Sequence, residues 1–167
     1  MRKILGIDPA LINTGWAIIC THNGQKFEYI ASGTIKNKLT ASDPIADRLL
    51  YTAAAIREII LKYNPEESAI EETFVNSNSV TSLKLGMARG AAILTLAQNN
   101  LPVTEYSPTF IKKTIVGNGR ADKSQILYMI KVLLGASLTA EKFSTMDESD
   151  AIAIALTHGF LSKKRYQ

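Results

Sequence analysis

Three short β-rich runs follow one another at the front of the chain, and this succession constrains the fold more than any other feature. Residues 3–8 (KILGID), 14–20 (TGWAIIC) and 26–35 (KFEYIASGTI) are separated only by residues 9–13 and by Asn23-Gly24-Gln25. Parallel neighbours need a crossover of about a dozen residues or more, so links this short join the runs as an antiparallel meander. Asn23-Gly24 is the strongest hairpin signal in it. From Ser42 the apolar spacing lengthens. Ile45, Leu49, Ala53, Ile56 and Ile60 recur at helical intervals, with Ser42 or Asp43 as cap and Pro44 in the first turn. The pattern stops before Asn64-Pro65, and 68–72 (SAIEE) predict a fourth strand. A helix over 80–98 and a strand over 102–106 follow. Helices over 108–116 and 122–134, split by Gly117-Asn118-Gly119, precede a last one from about 145 to 161. A meander followed by alternating helices and strands is an α/β chain, with one mixed five-stranded sheet and helices on both faces.

The 167 residues are 46% hydrophobic, enough for one domain around a core without cross-links. Cys20 is the only cysteine, which excludes an intrachain disulfide and a cysteine-built zinc site. Asp8 interrupts the first apolar run at once, which argues against a signal peptide. No stretch approaches ~18 uncharged apolar residues, so the expectation is a cytoplasmic protein without a membrane segment. The net charge of +4 is unevenly placed. Residues 73–121 carry Lys84, Arg89, Lys112, Lys113 and Arg120 against Glu105 alone. Such a segment fits a polyanion, and equally a solvated surface.

Acids stand in unusual places. Asp8 ends an apolar strand, Glu71 and Glu72 end the fourth, and Asp147 and Asp150 share one face of the last helix. That helix continues as AIAIAL (151–156), apolar almost all round, so it is expected to be buried with its two carboxylates toward the sheet. Buried carboxylates are paired, protonated or metal-bound. Three or four together call for Mg2+ or Mn2+, and two such ions about 4 Å apart suit phosphodiester hydrolysis. The bland alternative is a helix start that favours negative charge and a glutamate that faces solvent. His158, two turns beyond Asp150, reads as a packing or capping histidine rather than a ligand. Gly86 and Gly90 give the 80–98 helix a small-residue face, suited to ordinary packing or to a dimer contact. Gly6-Ile7-Asp8 with Thr14-Gly15 is similar to a phosphate motif of actin-like ATPases, but those enzymes need two such domains around a nucleotide.

The order βββαβαβα is that of the ribonuclease H fold. Along nearly its whole length the chain resembles the bacterial RuvC family of Holliday-junction resolvases. The matching blocks are ILGIDP (4–9) with Thr14-Gly15, AIEETF (69–74), SLKLGMARG (82–90), TIVGNGRADKSQ (114–125) and DESDAIAIA (147–155), followed by Thr157-His158. The resemblance implies a ribonuclease H-like fold and a single nuclease domain over residues 1–167. It implies a homodimer that cuts opposed strands of a four-way DNA junction in recombination and repair. It also implies Mg2+ or Mn2+, two ions per site, held by Asp8, Glu71, Asp147 and Asp150. Strand alternation does not choose between Glu71 and Glu72; the family's glutamate, after the Ile and three before the Phe, is Glu71. Phe74 matches an aromatic that acts on junction bases, and Lys112 and Lys123 match basic residues near the scissile DNA. The branch-migration proteins RuvA and RuvB are the implied partners. Where the family usually has glycine after Asp-Pro this chain has Ala10, so the loop after Asp8 is expected to differ. Two other readings share the fold. One is a DNA-binding module without catalysis, against which the full set of acids argues. The other is a nuclease for RNA–DNA hybrids, which Phe74 and the basic segment fit less well.

Overall fold

Every strand and helix expected from the periodicity is present, with ends close to those expected. The computed structural model describes residues 1–22, 24–73, 79–138 and 145–162. The elements are β1 (Arg2–Asp8), β2 (Asn13–His22), β3 (Lys26–Lys36), α1 (Ile45–Tyr63), β4 (Glu67–Glu71) and α2 (Ser79–Gln98). They continue with β5 (Val103–Tyr106), α3 (Pro108–Val116), α4 (Lys123–Leu134), a 3-10 turn at Gly135–Ser137 and α5 (Met146–Leu161). The strands form one sheet in the order β3-β2-β1-β4-β5. β1, β2 and β3 are antiparallel, while β4 and β5 run parallel to β1. The long connections that parallel pairs require are α1, before β4, and α2, before β5. This is the mixed sheet of the ribonuclease H-like fold.

The pleat sorts the central strands into two cores. Ile4, Ala17, Ile19 and Ala69 pack with α3, α4 and α5, whereas Leu5, Ile7, Ile18 and Ile70 pack with α1 and α2. Covered on both faces, β1 and β4 read as continuous apolar runs rather than alternating ones. On the α5 side the approach is closest at two glycines. A β-carbon on Gly6 would lie 2.3 Å from the Ala151 carbonyl oxygen, and one on Gly15 would lie 2.1 Å from that of Asp147. Only glycine fits at either point, so this pair sets how near α5 sits. As its apolar run predicts, α5 is buried at Glu148, Ser149 and throughout 151–159.

Three local features depart from the expected pattern. In β3, Ala31 pairs with Ile18 and Tyr29 with Ile19, which leaves Ile30 outside the ladder as a bulge. The extra residue reverses the pleat, so Tyr29 and Ser32 face the same side and their hydroxyls meet at 3.0 Å. α1 has Pro44 at its N-cap and no side-chain cap. The Asp43 carboxylate is taken instead by Thr40, whose amide and hydroxyl donate to it at 2.6 and 2.9 Å. The buried face of α1 runs through Arg48, Thr52, Ile56, Ile59 and Ile60. Arg48 turns inward because its guanidinium reaches the Leu11 carbonyl at 3.4 Å, in the loop after Asp8. Finally, α2 is long and apolar enough, by length and composition, to cross a membrane, although it is not an uncharged stretch. Here it rests on the sheet and α1 through Ala88, Ala92, Thr95 and Leu96. It also carries Lys84 and Arg89, the latter paired with Glu105 of β5.

Candidate active site

Parallel neighbours β1 and β4 bring their C-terminal residues side by side. Ile7 is in register with Ile70, so Asp8 and Glu71, the next residue on each, end the strands together. The pleat separates the two glutamates. Glu71 has the parity of Ala69, which packs toward α5, and Glu72 that of Ile70, which packs toward α1 and α2. Asp8 shares the parity of Ile4 and faces α5 as well. Thr145 caps α5, its hydroxyl accepting from the Glu148 amide at 3.3 Å. The next turn carries Asp147 and Asp150. The Asp147 carbonyl lies against Gly15, the cross-strand partner of Asp8, which brings both aspartates over the ends of β1 and β4.

The carboxylates act strongly on one another. Burial, and after it the charges of Glu71, Asp150 and Asp147, pushes Asp8 up to about 7. Burial and then Asp150 push Glu71 up to about 7 as well, against opposing pulls from Lys112 and Lys123. Lys123 Nζ donates to Asp150 Oδ2 at 3.2 Å. Among the described residues, no three carboxylate, imidazole or thiol side chains close on one point as the ligands of an ion do. The acids therefore stand within electrostatic reach without sharing a centre. Chemically this is an all-oxygen donor set whose two strand-end acids, Asp8 and Glu71, keep protons near neutral pH until positive charge enters.

Lys112, on α3, and Lys123, the first residue of α4, stand beside these acids. Asp122 fixes the start of α4 with a capping box, its carboxylate accepting from the Gln125 amide at 2.9 Å. Phe74 lies outside the described residues. Ala10 does not take the left-handed backbone that glycine favours. Among the described residues, only Asn64 and Asn100 take positive φ without being glycine. The Thr14 hydroxyl closes the loop after Asp8 instead, accepting from the Ala10 amide at 3.2 Å and donating to its carbonyl at 2.7 Å. His158 lies toward the far end of α5, with its Nδ1 2.9 Å from the Tyr106 hydroxyl and its Nε2 3.0 Å from the Glu67 carboxylate. Arg2 donates to that same carboxylate at 2.8 Å. It is the packing histidine that the sequence predicts. Sequence reasoning passes over Arg48, which braces the loop after Asp8, and Glu148, buried between the two aspartates. For Glu148 the one signal is an acid set in a helix that is otherwise buried; for Arg48 there is none.

A sheet ordered 3-2-1-4-5, with carboxylates ending its first and fourth strands and on the helix that covers them, is the architecture of the ribonuclease H-like nucleases. Comparison with known proteins narrows this class. The family described as crossover junction endodeoxyribonuclease RuvC matches residues 4–158. RuvC of Rickettsia typhi is 47% identical over 163 residues, which cover 98% of this chain and 99% of that protein. RuvC of Rickettsia akari is 50% identical over 155 residues, covering 92% and 94%. The structure of Thermus thermophilus RuvC in complex with a Holliday junction substrate is similar with a TM-score of 0.87 at 27% identity, over 98% of this chain and 96% of that one. The yeast mitochondrial Holliday junction resolvase Ydc2 shares the fold, with a TM-score of 0.66 at 14% identity over 94% of this chain and 78% of its own. This chain belongs to the RuvC family of crossover junction endodeoxyribonucleases, which hydrolyse DNA phosphodiester bonds with divalent metal.

Proposed function

We propose that this chain resolves four-way DNA junctions in recombination and repair, as a homodimer whose two sites cut opposed strands. The observation that carries this reading is the pair of buried acids, Asp8 and Glu71, each pushed up to about 7, with Asp150 of α5 acting on both and Asp147 on Asp8. Lys112 and Lys123 oppose these shifts without cancelling them, and the oxygen donors suit a hard cation that keeps bound water, Mg2+ or Mn2+. Asp8, Glu71, Asp147 and Asp150 would hold it, two ions per site. Bound there, the metal supplies charge that lets the acids ionise and a Lewis acid toward the scissile phosphate. The chain's own part is placement, with two acids fixed by strand ends and two by a buried helix. Lys123 neutralises Asp150 in the free protein; with Lys112 it contacts backbone phosphates in the complex. Phe74, three residues after Glu71, supplies a ring to stack on a base unpaired at the crossover.

The dimer forms through α2. Leu83, Met87 and Leu94 are exposed at helical spacing. Gly86 and Gly90 stand on the same stripe, and no atom of the described residues lies within 4 Å of where their β-carbons would be. A groove of about 540 Å³ lies there, lined by Ser79, Ser82, Leu83, Gly86 and Met87. A self-complementary stripe gives a two-fold contact, which matches the symmetry of a junction cut at two opposed points. RuvA and RuvB are the partner proteins in this reading, and the cytoplasm is where one nuclease domain over residues 1–167 works. The test is a synthetic four-way junction beside an RNA–DNA hybrid and a linear duplex, each with and without Mg2+. Paired nicks in the junction alone, and only with metal, are expected. Equal cutting of hybrid or linear duplex overturns the reading.

A further inference from the structure

We propose that Glu148 is a positioning residue for the acid site: it fixes the rotation of α5 about its own axis, and with it the places of Asp147 and Asp150. This rests on the reading of those aspartates as metal-binding groups. Glu148 is 6% exposed, and a carboxylate so buried is costly unless its oxygens are hydrogen-bonded. Its Oε2 accepts from the Ser32 hydroxyl at 2.6 Å and its Oε1 from the Thr145 hydroxyl at 3.1 Å. A hydroxyl has one proton. Having given theirs to Glu148, Ser32 and Thr145 must each accept from the next group along. Tyr29 therefore donates to Ser32, and Thr34 to Thr145, both at 3.0 Å. Four hydroxyl protons thus point toward one carboxylate, and three of the four hydroxyls belong to β3.

The bulge at Ile30 makes this possible. Without it, Tyr29 and Ser32 would lie on opposite faces of β3 and no chain of hydroxyls would form. Thr145 and Glu148 also hold the positions of a capping box, which serves a helix alone; the bond to Ser32 goes further and ties the helix to the sheet. Successive helical residues are turned ~100° apart, so Glu148 reaches β3 while its neighbours reach the ends of β1 and β4. A carboxylate lies roughly 6 Å from the helix axis, so a turn of ~10° moves it about 1 Å. A displacement of that size at a reacting centre costs about a hundredfold in rate.

The experiment compares the full-length protein with its Glu148→Ala, Glu148→Gln, Ser32→Ala and Ser32→Ala/Glu148→Ala variants. Mn2+ affinity is read by calorimetry, junction affinity without metal by titration, cleavage against Mn2+ concentration, and thermal midpoint alongside. Glu148→Ala is expected to weaken Mn2+ binding about tenfold and lower the saturated rate by ~10–100-fold, with junction affinity unchanged. Ser32→Ala should do the same to a smaller degree, with no added effect in the Glu148→Ala background. Glu148→Gln should restore most of both, because hydroxyls can reverse along one arm to receive its amide. A lowered midpoint with unchanged Mn2+ affinity and saturated rate overturns the proposal. Should Glu148→Ala not fold, the Ser32→Ala result decides alone. A parent protein that binds Mn2+ in a Glu148-dependent way yet never cuts junctions would refute the proposed function and leave this inference standing.

Discussion

Asp8→Asn is expected to stabilise the metal-free protein at pH 8 and to leave it almost unchanged at pH 4. The Asp8 carboxyl is raised from 3.8 to about 7, by burial first and then by the carboxylates of Glu71, Asp150 and Asp147. Its folded value lies above its unfolded one. The stability it contributes is therefore fully present below about pH 4 and lost as the pH rises through about 7. At about 1.4 kcal/mol per pH unit, the full loss is about 4 kcal/mol. Asparagine carries no charge at any pH and is spared that loss. Because Glu71 rises with Asp8, a single asparagine should recover about 2–4 kcal/mol, or a midpoint higher by roughly 5–15 °C in a chain of this size. The assay is calorimetric melting from pH 4 to 9 in chelator, parent beside variant. Mg2+ at pH 8 should raise the parent's midpoint more than the variant's, because it supplies the charge that asparagine makes unnecessary. Parallel midpoint curves across the whole pH range would refute the reasoning.

Glu71→Gln should abolish junction cleavage while junction binding stays or tightens, and Glu72→Gln, on the opposite face, should keep cutting; the reverse result in a nicking assay would reassign the glutamate. Gly90→Leu should leave the monomer folded, since among the described residues nothing lies within 4 Å of its missing β-carbon. It should shift sedimentation toward monomer and uncouple the paired cuts, and an unchanged dimer would move the interface away from α2. Gly15→Ala should fall at the upper end of the ~1–3 kcal/mol of overpacking, because its new carbon meets the Asp147 carbonyl, and both melting and cleavage should report it. Phe74→Ala should cut junctions slowly at an unchanged thermal midpoint, with Phe74→Trp largely active; a midpoint several degrees lower, with activity falling only in step, would make the ring a core residue.

The strand and helix order is legible in the sequence because hydrophobic period and link length are local properties. Asp8 and the two α5 aspartates are legible too, as charges set into apolar runs. The choice between Glu71 and Glu72 is not. In a strand buried on both faces, Ala69 and Ile70 are equally apolar, so no alternation shows which side each glutamate takes. Only the helices packed on either face decide it. Arg48 and Glu148 stay hidden for a related reason. Each is explained by a partner far along the chain, Leu11 for one and Ser32 for the other, and the bulge that presents Ser32 leaves no mark in a run of mixed residues.

The close seat of α5 on Gly6 and Gly15 bears on the order in which the molecule can be assembled. The strands that carry these glycines precede every described helix in the chain, and the helix that fills the groove above them follows all the other described elements. Until 151–155 emerge from the ribosome, the meander can pair its strands, but the face shared with α3 and α4 lacks the helix that seals it and stays partly exposed and apolar. A nascent chain stopped short of α5 should therefore be recognised by chaperones as unfinished. Release of that recognition should coincide with arrival of the helix that carries Asp147 and Asp150, so the protein becomes compact and acquires its site in the same step.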